Sequence, residues 1–221
     1  MRRLAAYWGL FTVGLLLVTF AVCVQLNPGF DLLDDYLSQL GARQQPWALL
    51  WNVMGFAAVG VSFALFGIAL GRVYGDGLLG CCLGLAGLGF ALAATPTDLA
   101  NSEATLSKIH FASVCIGLAG WCLALARVGG RRSSQSPAVE RTGSRPTESN
   151  LAAESTGESP DQFSIVCSNV AAVLAVLPML GVAVGWVPEP MAHRWVLGTV
   201  CLWTVLISVR LLVARSDTAS S

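Results

Sequence analysis

Charge is scarce in this chain. Charged residues fill 12% of its 221 positions, about half of the ~25% usual in soluble domains. Thirteen basic residues balance thirteen acidic ones, so there is no basic excess to hold nucleic acid and no surplus to attract an acidic partner. Metal-ligand spacing is missing as well. Of the seven cysteines, Cys23, Cys81, Cys82, Cys115, Cys122, Cys167 and Cys201, all fall inside apolar runs. No CxxC and no Cys/His pattern occurs, so neither a disulfide framework nor a zinc site is supported. No internal repeat is detectable, and the middles of the apolar runs hold almost no charge. Both facts count against a transporter with a charged midplane site.

Apolar sequence is what the chain has in plenty. It makes up 55% of the residues, and the mean hydropathy is +0.66. These residues come in six runs: Leu4–Val24, Trp47–Leu70, Leu78–Thr95, Ile109–Val128, Phe163–Val187 and Ala192–Ala214. Each is close to the ~20 residues that cross the hydrocarbon core as a helix. Backbone polar groups in lipid must pair within their own segment, which leaves helices as the form. Arg2 and Arg3 precede the first run as they would a signal peptide. That run is too long for such a segment, however, and no small-x-small cleavage site follows Val24. The expected fold class is therefore all-α, a polytopic membrane protein with six transmembrane helices.

The basic residues orient the spans. With the N-terminus inside, the inner segments hold Arg2, Arg3, Arg72, Arg127, Arg131, Arg132, Arg141, Arg145, Arg210 and Arg215, and the outer ones only Arg43, Lys108 and Arg194. Positive residues collect on the cytoplasmic side, so both termini are expected there, in the cell membrane. Trp47, Trp51, Trp186 and Trp195 would form an outer aromatic belt. "GGRRSSQSPAVERTGSRPTESNLAAESTGESPDQ", positions 129–162, has no aromatic residue and reads as a disordered cytoplasmic linker. The expected organisation is four spans over 1–128, the linker over 129–162, two further spans of the same bundle over 163–215, and a disordered tail over 216–221.

Two local patterns add detail. In the third run Gly77, Gly80, Gly84 and Gly87 recur every three or four residues, a stripe that lets helix backbones approach closely. Packing inside the bundle is the first expectation; homo-oligomerisation through Gly80 and Gly84 is the second. Between the first two runs, "FDLLDDYLSQLGARQQPW" crowds three aspartates into five residues. Leu32, Leu33, Tyr36, Leu37 and Leu40 make one helical stripe, Asp31 is a natural N-cap, and Gly41 suits a helix stop. A short interfacial helix over 31–40 is predicted.

"DLLDDYLSQLGA", followed by "ALLWNVMGF" with Asn52 just inside the next helix, resembles the signature of the prokaryotic domain of unknown function 998 family. "ATPTDLANSEATLSKIH" is similar to that family's Pro-x-Asp ending of the third span and the His that opens the fourth. The likeness covers the chain apart from the linker, and "HRWVLGTVCLW" departs from it at His193, where an acidic or amide residue is expected. The resemblance implies a six-helix membrane protein and brings no established activity.

The polar residues of the outer rim are the candidates for chemistry. Asp34, Asp35, Ser38, Asp98, His110 and His193 are candidate catalytic groups, with Asp98, His110 and His193 as candidate metal ligands, since neutral imidazole beside carboxylate suits either use. The plainer reading makes them caps and ion pairs holding the short helix to the bundle. No residue is assigned to an organic cofactor. The leading expectation is a non-enzymatic membrane protein that engages membrane lipids or partner proteins. An outer-face lipid hydrolase using the His and Asp residues is the alternative, and a small transporter the third. Asp34 or Asp35, Ser38, Asp98 and His110 are predicted to face one another across the rim.

Overall fold

A computed structural model of the chain describes residues 1–98, 100–101, 103–130 and 162–213. The linker and tail expectations therefore lie almost wholly outside the described residues. Within them the chain is helix and loop, without strands. Six helices follow one another: α1 (Arg2–Leu26), α2 (Ala48–Val73), α3 (Gly77–Leu92), α4 (Thr105–Gly129), α5 (Gln162–Ala183) and α6 (Glu189–Val213). All but α3 are long and apolar enough to span a bilayer. At 16 residues, α3 rises only about 24 Å. The expected third span ran on to Thr95, but Pro96 follows, and a residue before proline is pushed out of the helical region.

The helices form a closed ring in chain order. Each packs on its predecessor, and α6 returns to α1. All six contribute to the core at the end that bears the N-terminus, where Phe66, Trp121 and Trp203 are fully buried among Ala5, Leu70, Leu83, Ala124, Ala175 and Ile207. A second cluster fills the other end. It joins Leu16 and Cys23 of α1 with Trp51, Phe56 and Val59 of α2, Ala93, and Leu40 from the first loop. The last buried residue of α5 is Ala175; beyond it the helix, which contains Pro178, exposes Val176, Leu177 and Leu180.

Glycines set the closest approaches. A Cβ at Gly71 of α2 would stand 2.6 Å from the Gly80 Cα, so these backbones touch. Gly87 lies likewise against Ala64, and Gly89 of α3 against Gly117 of α4. The stripe of the third span is thus used within the bundle at Gly80 and Gly87, whereas among the described residues a Cβ at Gly84 would meet only Ile68 Cγ1, at 3.9 Å, and one at Gly77 nothing within 4 Å. The α2–α3 turn is tight. Gly75 takes the left-handed conformation (φ 59°), and the Asp76 carboxylate caps α3 by accepting from Leu79 N at 3.1 Å.

The first loop departs from expectation. No α-helix spans 31–40. Residues 32–35 make a single turn, Tyr36 is extended (ψ 143°), and a 3₁₀ segment runs Leu37–Gly41. The predicted stripe is split: Leu32 and Leu33 lie outward while Leu40 is fully buried. Seating Leu40 in the mouth of the ring requires the chain to turn inward at Tyr36, which a continuous interfacial helix does not allow. The loop is a plug.

Candidate functional site

The plug is built from its aspartates upward. Asp31 Oδ1 accepts from Leu33 N at 2.7 Å and Asp34 N at 3.2 Å, while Asp35 Oδ2 accepts from Asp31 N at 2.8 Å. This reciprocal arrangement resembles a capping box closed over one turn. The backbone N–H bonds, chiefly that from Leu33, hold the Asp31 carboxyl below its ordinary pKa. Asp34 is exposed and Ser38 half-buried.

The start of α6 clamps this turn. Arg194 donates through one terminal nitrogen to the Leu33 carbonyl at 2.9 Å, and through the other to the carbonyls of Asp31 (3.4 Å) and Asp35. Tyr36 Oη donates to Glu189, and its ring lies 5.4 Å from that of His193. Desolvation first, and the Glu189 carboxylate second, push the Tyr36 hydroxyl up to about 12. A planar guanidinium fork is suited to gathering several carbonyls at once.

The 3₁₀ segment is fixed from below by α2. Its first turns form a wide π-helical segment, Trp51–Ala58, with Trp51, Asn52, Gly55 and Phe56 buried. The Trp51 indole lies over Gly55, where a Cβ would stand 2.7 Å from the ring. Asn52 Nδ2 donates to the Gly41 carbonyl at 2.9 Å. Gly41 is therefore less a helix stop than the place where Asn52 and Trp51 meet the loop: a Cβ there would strike the Asn52 amide.

The α3–α4 connection stitches to the same loop. Arg43 N donates to the Thr97 carbonyl at 3.0 Å, and Gln44 Nε2 to Asp98 Oδ1 at 3.0 Å. Asp98 Oδ1 also accepts from Ala100 N at 3.0 Å, while Asp98 N donates to Ser107 Oγ at 3.1 Å. The Gln44 bond, then the Ala100 N–H, lowers the Asp98 pKa. His110 faces inward. Its Nδ1 donates to the Ala93 carbonyl at 2.7 Å, and its ring stands edge-on to Phe56 at 5.4 Å. A carbonyl can only accept, so Nδ1 carries the proton. His110 thereby satisfies a terminal carbonyl of α3 that has no partner within its own helix.

Residues 10–210 match a family described as protein of unknown function (DUF998). The chain belongs to this family. No curated protein and no solved structure matches it.

In this DUF998 chain the predicted site residues share one end of the bundle but have separate partners. Asp35 and Asp31 bind their own turn, Asp98 binds Gln44, His193 stacks near Tyr36, and His110 binds Ala93. No carboxylate is among the hydrogen-bond or ion-pair partners of His110 within the described residues. Nor, among those residues, do three His, Cys, Asp or Glu side chains gather where they could hold one metal ion. The residues that join the segments are Arg194, Glu189, Tyr36, Gln44 and Asn52. Asn52 stood out in the sequence as a polar residue one turn inside a span. Glu189 had no such signal, since its partner lies 153 positions away.

Proposed function

We propose that this DUF998 protein is a non-enzymatic, multi-pass membrane protein that works through its outer surface, by engaging membrane lipids. One observation carries the reading: the bundle is filled at both ends, with Phe66, Trp121 and Trp203 closing the inner core and Leu40 and Trp51 closing the mouth. A filled ring leaves no aqueous path for a solute. Of the rim groups that acid–base chemistry would need, Asp31, Asp35, Asp98 and His110 are engaged with backbone groups or with Gln44. What remains is an extensive apolar perimeter, including Phe11, Leu85, Phe111, Val173, Leu177 and Leu202.

The electrical polarity supports an orientation. Among the described residues, the end bearing the plug carries Asp31, Asp34, Asp35, Asp98, Glu103 and Glu189 against Arg43, Lys108 and Arg194. The opposite end carries Arg2, Arg3, Arg72, Arg127 and Arg210 against Asp76 alone. By the positive-inside rule the arginine end and both termini are cytoplasmic and the plug faces out. Reporter fusions after Val24, Leu70 and Thr95 should read outside, inside, outside; cytoplasmic activity after Val24 reverses the assignment.

Purified protein in detergent should retain phospholipid in native mass spectrometry and should release neither fatty acid nor headgroup from phospholipid vesicles, with or without added zinc. Lipid release that disappears in His110→Gln would overturn the non-enzymatic reading in favour of an outer-face hydrolase.

A further inference from the structure

On the arginine end, α2 and α3 enclose a shallow groove of about 490 Å³ along their seam. Its floor is backbone. Gly71 and Gly80 touch there, so no side chain rises between the helices. Its flanks are Ile68 and Gly84, and the latter has only Ile68 Cγ1 within 4 Å. Such a slot, open along the lipid-facing side, has the form of a seat for one hydrocarbon chain.

The charge at its end names the rest of the occupant. Arg72 and Asp76 both line the groove, but they are in different electrostatic states. The Asp76 carboxylate is buried, bound to Leu79 N and paired with Arg127 Nε at 2.9 Å. Arg72 is exposed, and its guanidinium has no carboxylate or hydrogen-bond partner among the described residues. Asp76 is already neutralised by Arg127, so the groove ends on an uncompensated positive charge in the arginine-rich face. Basic sites between transmembrane helices select anionic headgroups.

A second copy of the chain fits less well. A two-fold interface along Gly80 and Gly84 sets the same residues of both copies at the same depth. Arg72 would then approach its own image with no unpaired acid beside it among the described residues to separate the pair.

We propose that the α2–α3 groove binds an anionic phospholipid, one acyl chain lying along Gly71, Gly80 and Gly84 and the phosphate held by Arg72. This rests on the lipid-engaging reading above and gives it a place and a headgroup preference. Native mass spectrometry of the full chain, titrated with phosphatidylglycerol or phosphatidylcholine of identical acyl chains, tests it. Wild type should prefer phosphatidylglycerol. Arg72→Gln should weaken phosphatidylglycerol by about five-fold, the worth of one basic residue near a membrane surface, and leave phosphatidylcholine unchanged. Gly84→Leu fills the groove at a position with room for a side chain and should weaken both lipids. Thermal unfolding of each variant checks that the bundle is intact, and Arg72→Lys should restore most of the preference. Wild-type retention that neither substitution alters overturns the groove while leaving the lipid reading in place. Failure of wild type to retain either lipid overturns both. A wild-type dimer abolished by Gly84→Leu, without bound lipid, puts a second copy in the groove and overturns the proposal.

Discussion

Replacing Arg194 by alanine removes the clamp on the plug and nothing in the core. Arg194 donates to three carbonyls of the Asp31–Asp35 turn, one at 2.9 Å and one at a long 3.4 Å. Hydrogen bonds from a charged donor contribute about 1.5–3 kcal/mol when dry, and these lie at a partly exposed rim, so about 1 kcal/mol each is the appropriate scale. The long bond adds only enough to offset Arg194 Nε, which is buried without a partner among the described residues. The clamp therefore contributes about 2 kcal/mol to closing the turn, or about 30-fold in its opening equilibrium. Hydrogen exchange followed by mass spectrometry reads this directly. In Arg194→Ala, peptides covering 31–39 should exchange about 30-fold faster. Peptides over 41–44, held separately by Asn52 and Thr97, should change far less. Arg194→Lys should be intermediate, because an ammonium cannot fork across three carbonyls. Wild-type exchange over 31–39 in the alanine variant would refute the clamp; a uniform rise across all helices would show that Arg194 supports the whole bundle instead.

Three further outcomes follow from the same geometry. Gly71→Ala should lower stability by about 1–3 kcal/mol, the usual effect of overpacking, because its methyl would meet the α3 backbone 2.6 Å away; an unchanged unfolding temperature in detergent contradicts the close contact. Arg127→Ala should destabilise more than Asp76→Ala. The former leaves a carboxylate with 2% exposure without its cation, at about 3 kcal/mol, whereas the latter removes one helix cap, at about 1 kcal/mol; the reverse order would show that Arg127 does not compensate the buried charge. The plug should also be insensitive to mild acid. Asp31 and Asp98 have folded pKa values below the ordinary carboxylate value of 3.8, so their contribution is present above that value and lost as pH falls through the depressed one. Tyr36 works in the opposite sense: its pKa is raised from 10.0 to about 12, so its contribution is full below 10.0 and fades as pH rises through about 12. Exchange over 31–39, corrected for intrinsic rates, should be flat between these limits; loosening between about pH 5 and 7 would point to a histidine in control.

The spans were legible because a bilayer demands long apolar runs and little else, and six such runs became six helices with ends shifted by a few residues. Pro96 is the signal that α3 stops early, and it stands immediately after the stretch Leu78–Thr95 assigned to the span. The glycine stripe of the third run was readable, but its partners, Gly60, Gly67 and Gly71 on α2, sit at equally suggestive spacing and reveal the α2–α3 seam only when both stripes are placed together. The first loop departs from its helical pattern for a physical reason. Its leucines have helical period, yet one turn of reciprocal aspartate bonds, an extended Tyr36 and the burial of Leu40 outweigh propensity over so short a segment. Its anchors come from Glu189 and Arg194, more than 150 positions along the chain, where no local pattern reaches. His110 was expected to open its helix, which instead begins at Thr105 and places His110 in the second turn; that its ring turns in to the end of α3 depends on Ala93 having a carbonyl to satisfy.

Ring order that follows chain order also bears on how the protein is made. Each helix, as it leaves the translocon, meets the neighbour it will keep, so α2 can dock on α1 and α3 on α2 without waiting for later segments. One seam is different. The flank of α1 that carries Gly9 against Ser208 stays bare until α6 has been synthesised, and the same late helix brings Arg194 and Glu189 to the plug. Ring closure and sealing of the mouth are thus one terminal event in biogenesis, and a ribosome-released chain lacking α6 would be an open arc with an unfastened loop, the kind of unfinished surface that membrane quality control recognises.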